Sequence, residues 1–135
     1  MGDAPAAPIE VVEAIYAAMA DRDFGRVFEL LSPEIVVRQD ARLPWGGVHE
    51  GHDGFVTFGL TLTGTIDSAV TTEAMFEADG DIVQVGRTRG TVNATGAPFD
   101  IAEVHRWTVV DGLAVAAHMS IDTPAMLAAL EEGHS

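Results

Sequence analysis

Ile9, Val12, Ile15, Tyr16 and Met19 recur at the three- and four-residue spacing of one helix face. Pro8 suits a first helical turn. The spacing therefore predicts a helix that runs to the polar break at Asp21-Arg22-Asp23. Asp23 can cap a second, short helix carrying Phe24, Val27, Phe28 and Leu31, which Ser32-Pro33 should end. Ile35 to Asp40 reads as a strand, with β-branched residues first and polar ones at its end. Residues 41–52 hold Pro44, Trp45, Gly46, Gly47 and Gly51 and read as a loop, after which Asp53 can cap a third helix through Phe55, Phe58 and Leu62. Residues 1–7 read as a flexible leader.

The remainder reads as a strand meander near 67–78, 82–93, 98–110 and 113–121. The separators are Asp79-Gly80, Thr95-Gly96 and Asp111-Gly112, and such dipeptides between β-rich runs are strong short-range hairpin signals. Thr123-Pro124 opens a last helix, and Gly133 follows its end. Helices followed by a long antiparallel meander predict an α+β domain spanning residues 1–135, with no second domain. A twisted sheet covered on one face by amphipathic helices leaves a concavity, and ligand sites favour such places.

Composition narrows the chemistry. The net charge is −14, which argues against a nucleic-acid backbone or an anionic membrane surface as partner. All basic residues are arginine. Cysteine is absent, which excludes disulfides, thiolate nucleophiles and cysteine metal sites. The start carries no basic, apolar targeting pattern, and no run is long enough to span a bilayer as a helix, so a cytoplasmic location is expected. His49 and His52 flank Glu50-Gly51, but this spacing matches no strong zinc motif; no metal and no cofactor are expected.

Three stretches together resemble one family: Val11 through Tyr16 with Leu30 to Val37; Leu43-Pro44-Trp45-Gly46-Gly47-Val48-His49-Glu50-Gly51-His52-Asp53-Gly54; and Val104-His105-Arg106-Trp107 through Gly112, ending at Ser120-Ile121-Asp122. The chain resembles the SnoaL-like group of the superfamily that includes ketosteroid isomerase and nuclear transport factor two. The resemblance covers almost the whole sequence. It implies a cone-shaped roll, in which a curved, mostly antiparallel sheet and N-terminal helices enclose an apolar pocket, and a homodimer formed through the outer sheet face. It does not imply one reaction, because members of such a fold differ in chemistry.

The known chemistries of the superfamily can be laid on this sequence residue by residue. Aligned without gaps, the isomerase base falls on Gln39, with Asp40 next to it; the oxyanion aspartate falls on Val104; and the oxyanion tyrosine falls on Ile15, with Tyr16 adjacent. That is a departure from the pattern. The epoxide hydrolase arginine matches Arg87, but its two aspartates fall on Arg89 and Met119. The cyclase pattern, one acid/base aspartate near the last strand with a histidine, points to Asp122 and His105. The alternatives are structural. Asp122 or Thr123 can cap the last helix. If Val104 faces the cavity, strand alternation turns His105 away from it and places Ala117, Met119 and Ile121 inside and His118 outside.

The candidate catalytic residues are thus Asp122, His105 and Asp40, and the candidate ligand-binding residues are Tyr16, Gln39, Trp45, Phe58, Arg87, Val104, Met119 and Ile121. Arg87 and Arg89 share a face and bind an anion if that face is the cavity, or pair with surface acids if it is not. Trp45, between Pro44 and Gly46-Gly47, is either a flap over the pocket mouth or a packed loop anchor. Two functions remain open. One is a cyclase-like or isomerase-like enzyme that moves protons on a hydrophobic carbonyl compound; the other is a non-catalytic small-molecule binding or accessory protein. A buried carboxylate with a strongly raised pKa would favour the enzyme.

Overall fold

The first helix, α1, spans Pro8–Ala20 and buries Val11, Val12, Ile15 and Ala18. This is the apolar stripe that the spacing of the sequence demands. Asp23 caps the second helix, α2 (Phe24–Leu30), by accepting a hydrogen bond from the Arg26 amide. Six strands follow or interleave: β1 (Leu31–Gln39), β2 (Gly47–Glu50), β3 (Ile66–Ala78), β4 (Asp81–Val92), β5 (Pro98–Val110) and β6 (Leu113–Ile121). Helix α3 (Gly51–Thr65) lies between β2 and β3, and α4 (Thr123–Glu131) follows β6. The structure, a computed structural model, describes residues 7–132. The expected leader falls outside these residues except for Ala7, as does Gly133.

The strands form one sheet in the order β2-β1-β6-β5-β4-β3. Only the β1–β6 pairing is parallel. The β3–β4 and β5–β6 turns place Asp79 and Asp111 at positive φ, followed by Gly80 and Gly112 also at positive φ. Two left-handed residues in series match the right-handed twist of a hairpin, and this is why the Asp-Gly dipeptides predict these turns so closely. Helix α1 lies over the concave face and touches β3, β4, β5 and β6. The core is the layer between them, with Ile15, Ile82 and Trp107 fully enclosed. The result is an α+β cone with a curved sheet, in agreement with the expected fold class.

Three local expectations need correction. Ser32-Pro33 does not end a helix: α2 stops at Leu30 and both residues belong to β1. They lie where the pairing with β6 breaks register, between Leu31 and Val36, and a proline without an amide hydrogen is tolerated at such an interruption. The stretch 41–52 is not all loop, because Gly47 to Glu50 pair with β1 from Gln39 back to Val36. Four residues between glycines are too few for an alternation signal. Helix α3 starts at Gly51, so Asp53 lies in its first turn instead of capping it. A carboxylate there still complements the helix dipole.

One glycine shapes the interior. A Cβ on Gly86 of β4 would collide with the main-chain carbonyl of Thr71 on β3. The register of β3 and β4 slips between Thr72 and Ala74, which bends β3 at this point. Gly86 therefore permits the curvature that gives the sheet its concave face.

Candidate functional site

Strand pairing fixes which side chains meet on the concave face. Gln39 lies opposite Met119, Met119 opposite His105, His105 opposite Gln84 and Gln84 opposite Met75, in one row across five strands. The next row runs Ile121, Glu103, Gly86 and Thr72. Along β5 the buried positions are Phe99, Ile101, Glu103, His105 and Trp107, while Asp100, Ala102, Val104 and Arg106 face outward. Val104 is 44% exposed. The gap-free placement of Val104 inside the cavity is therefore wrong by one residue, and His105 faces inward with Met119.

A hydrogen-bonded chain starts at the core. The Trp107 indole N–H donates to Tyr16 Oη at 3.0 Å, and Tyr16 Oη lies 2.7 Å from His105 Nδ1. The rings of Tyr16 and His105 are stacked, 7° from parallel. Burial pushes the His105 ring down to about 4, so it is neutral near pH 7. Burial raises the Tyr16 phenol, the Trp107 N–H partly opposes this and the Glu103 charge adds to it, so Tyr16 keeps its proton.

Glu103 is the side chain that the sequence reading missed. It is 2% exposed, and neither carboxyl oxygen has a hydrogen-bond partner among the described residues. Its Oε2 lies 3.4 Å from His105 Nδ1. Burial pushes the carboxyl up to about 7, and the nearby Gln84 amide opposes this only in part. The Gln84 Nε2 is directed to Thr72 Oγ1 at 3.0 Å, and Gln84 Oε1 is itself buried without a partner. Gly86, directly across from Glu103, contributes no side chain. The arginines give no counter-charge: Arg87 and Arg89 pair with Asp100, Arg106 with Asp81, Arg42 with Asp40 and Arg26 with Glu29, and Arg22 and Arg38 are exposed. The signal that could have found Glu103 is the alternation of Phe99, Ile101 and Trp107, which turns every odd position of β5 inward.

The other predicted residues are dispersed. Asp122 caps α4, its Oδ1 accepting from the Ala125 amide at 3.1 Å. Asp40 is held down to about 2 by the Arg42 side chain and backbone amide. Arg87 is on the outer face with Asp100, not on the concave one. Trp45 is 1% exposed and is a packed anchor, not a flap. Phe58 is buried against Phe55 and the His49 ring. His49 Nε2 donates to the carbonyls of Trp45 and Gly46, and His52 Nε2 to that of Leu31. Two surface clefts lie at the end of β6. One, of about 210 Å³, is lined by Ala102, Glu103, Val104, Ser120, Ile121 and Asp122. The other, of about 240 Å³, involves Asp40, Met119, Ile121 and Thr123. Of the predicted site residues, only Tyr16 and His105 touch each other within the hydrogen-bonded cluster.

Replacing Asp122 with Ala should cost about 1 kcal/mol of stability through the lost cap and leave ligand binding unchanged. Urea unfolding together with any binding assay checks this; a loss of binding at unchanged stability would return Asp122 to the site.

Comparison with known proteins supports the architecture. A family model described as a SnoaL-like domain matches residues 12–117. No curated protein matches the sequence. Among solved structures, an NTF2-like protein from Burkholderia thailandensis is 26% identical, with a TM-score of 0.85 over 91% of this chain and 96% of that one. TerC, crystallised with polyporic acid, is 24% identical, with a TM-score of 0.84 over 93% of this chain and 100% of that one. A protein of ketosteroid isomerase-like fold from Catenulispora acidiphila, in complex with trimethylamine, is 15% identical, with a TM-score of 0.72 over 89% and 91% of the two chains. Among the described residues, no helix is long and apolar enough to cross a membrane.

Proposed function

Since this chain belongs to the SnoaL-like domain family, we propose that it binds a hydrophobic carbonyl compound against the concave sheet face, and that Glu103 and His105 move a proton on it. The observation that carries this is Glu103, a buried carboxyl whose oxygens have no hydrogen-bond partner among the described residues, beside a neutral imidazole. A carboxyl at about 7 can both give and take a proton near neutral pH. The apolar neighbours Met119, Ile121 and Met75 suit a hydrophobic ligand, and Gln39 in the same row can orient its polar end. TerC offers a parallel in that it was crystallised with a small organic ligand.

The test is exchange of α-hydrogen for deuterium in D₂O across a panel of hydrophobic ketones and diketones. Exchange by the native chain that falls at least 100-fold in Glu103→Gln or His105→Gln is expected. Binding without exchange would leave the second reading, a non-catalytic binding protein, which the amide at Gln39 in place of a carboxylate base favours. Neither binding nor exchange would sink both.

The same reading includes a homodimer through the outer sheet face. Phe76, Val83, Val85, Ala74 and Val104 are neighbours there by register, and Phe76 and Val104 are 46% and 44% exposed. Such an apolar strip on a chain of net charge −14 suits burial against a second copy. Gel filtration at micromolar concentration should give a dimer, and Phe76→Glu a monomer; a native monomer contradicts the assignment.

A further inference from the structure

His105 Nδ1 faces two competitors. Tyr16 Oη, from α1, lies at 2.7 Å in a hydrogen bond, and Glu103 Oε2, from the neighbouring inward position of β5, lies at 3.4 Å without one. A neutral imidazole has one N–H only, and the partner of one nitrogen decides where that hydrogen sits. We propose that Glu103 sets which ring nitrogen of His105 carries the proton, and thereby changes the interior from a hydrogen-bond donor to a hydrogen-bond acceptor. This rests on the site described above and adds a ligand preference to it.

With Glu103 protonated, Trp107 donates to Tyr16, the Tyr16 O–H donates to Nδ1, and the ring hydrogen sits on Nε2. Among the described residues, no hydrogen bond engages Nε2, so it is the nitrogen left to donate to a ligand carbonyl. With Glu103 ionised, its two buried oxygens carry a full charge that the nearby Gln84 amide offsets only in part. A small turn of the imidazole away from Tyr16 brings Nδ1–H onto Glu103, and a hydrogen bond to a buried carboxylate outweighs one to a neutral phenol. The ring hydrogen then occupies Nδ1, the Tyr16 O–H gives up Nδ1 as its acceptor, a loss smaller than the relief of the buried charge, and Nε2 presents a lone pair. One proton leaves Glu103 for solvent, and the imidazole stays neutral throughout.

Other titratable groups do not confuse the switch. Tyr16 is the only one that α1 turns toward Glu103, since Glu10 and Glu13 are exposed. β4 offers Gln84 and Gly86, β6 offers Met119 and Ile121, and β3 offers Thr72. His118 of β6 is on the outer face, Asp122, which lines one cleft with Glu103, accepts from the Ala125 amide, and Glu131, the one titratable side chain of α4, is exposed. Below the Glu103 transition the site should prefer acceptor ligands such as ketones. Above it, the site should prefer donor ligands such as enols and phenols, and Nε2 becomes competent as a base in the way a carboxylate orients a histidine elsewhere.

The experiment is ¹⁵N NMR of the histidine ring in the full-length protein from pH 5.5 to 8.5, with acetophenone as an acceptor-only probe. The His105 ring should pass from the Nε2–H to the Nδ1–H tautomer as pH rises. Acetophenone should bind about tenfold more weakly at pH 8 than at pH 6, the ratio of the competent populations for a transition midway between. Glu103→Gln keeps the shape but not the charge, so its His105 should stay Nε2–H and its affinity should be flat. One tautomer at all pH values in the native chain, or the same switch in Glu103→Gln, overturns the proposal. A tautomer switch without any hydrophobic carbonyl ligand would leave the proposal standing and count against the acid/base function instead. Deuterium exchange dependent on Glu103 with an unchanging tautomer would do the reverse.

Discussion

Glu103→Gln gives a protein more stable than the native chain at pH 8, by about 3 kcal/mol. Folding carries this carboxyl from 4.5 to about 7, because burial disfavours its charge and the Gln84 amide offsets this only in part. Between those values the native state holds a proton that the unfolded chain has released. Stability therefore falls as pH rises through that window, and stays low above it. His105 acts with the opposite sign. Its value goes from 6.5 to about 4 on folding, so the unfolded chain takes up a proton first and stability is lost as pH falls from 6.5 to 4. Between about 4.5 and 6.5 the two slopes nearly cancel, and the native chain should look insensitive to pH there. Glu103→Gln removes one slope, so its stability should rise by about 3 kcal/mol from pH 4 to 6.5. His105→Asn removes the other and should leave a fall between pH 4.5 and 7. Urea unfolding at half-unit steps of pH resolves all three curves. A Glu103→Gln variant less stable than the native chain at pH 8 would mean that the folded state holds the carboxylate with donors, contrary to this account.

Trp107→Ala costs about 3–5 kcal/mol, the largest loss expected from one side chain on β5. Trp107 is fully buried, packs edge-on against the Tyr16 ring 5.9 Å away, and gives its N–H to Tyr16 Oη. Trp107→Phe keeps most of the packing and removes the donor, so about 1–2 kcal/mol should go with it. Val104→Ala should cost much less, because Val104 lies on the outer face and is half-exposed. Urea midpoints of the three variants compare them directly. If Val104→Ala were the more damaging change, β5 would have its faces reversed, and Glu103 and His105 would lie outside.

The hairpin part of the fold was legible because its turns are chemically explicit. Two left-handed residues at Asp79-Gly80 and at Asp111-Gly112 leave the chain few other options, and the strands between the turns come out within a residue of their observed limits. The parallel contact of β1 with β6 and the short β2 were not legible. The first joins segments distant in sequence, and the second rests on four residues beside glycines, which carry no period. The site was hidden by a different cause. Placing β5 by gap-free alignment put Val104 inside, whereas Phe99, Ile101 and Trp107 already mark the odd positions as the apolar face. One residue of offset on a strand exchanges every side chain between faces. With the apolar alternation taken as the guide, Glu103 would have stood out as a carboxylate between Ile101 and His105 on a buried face. The lack of a donor for it was beyond reach from sequence, because that depends on Gly86 and Gln84 across the sheet and on arginines already paired at the surface.

Glu103 is buried on the inward face of β5, without a hydrogen-bond partner among the described residues. The measurement that tests this most directly is a ¹³C NMR titration of glutamate carboxyl carbons, with the Glu103 signal assigned by its absence in Glu103→Gln. The account predicts a midpoint near 7 that moves when a hydrophobic carbonyl ligand binds. A Glu103 midpoint near 4.5, unmoved by any ligand, would place the carboxyl in contact with water and contradict the site.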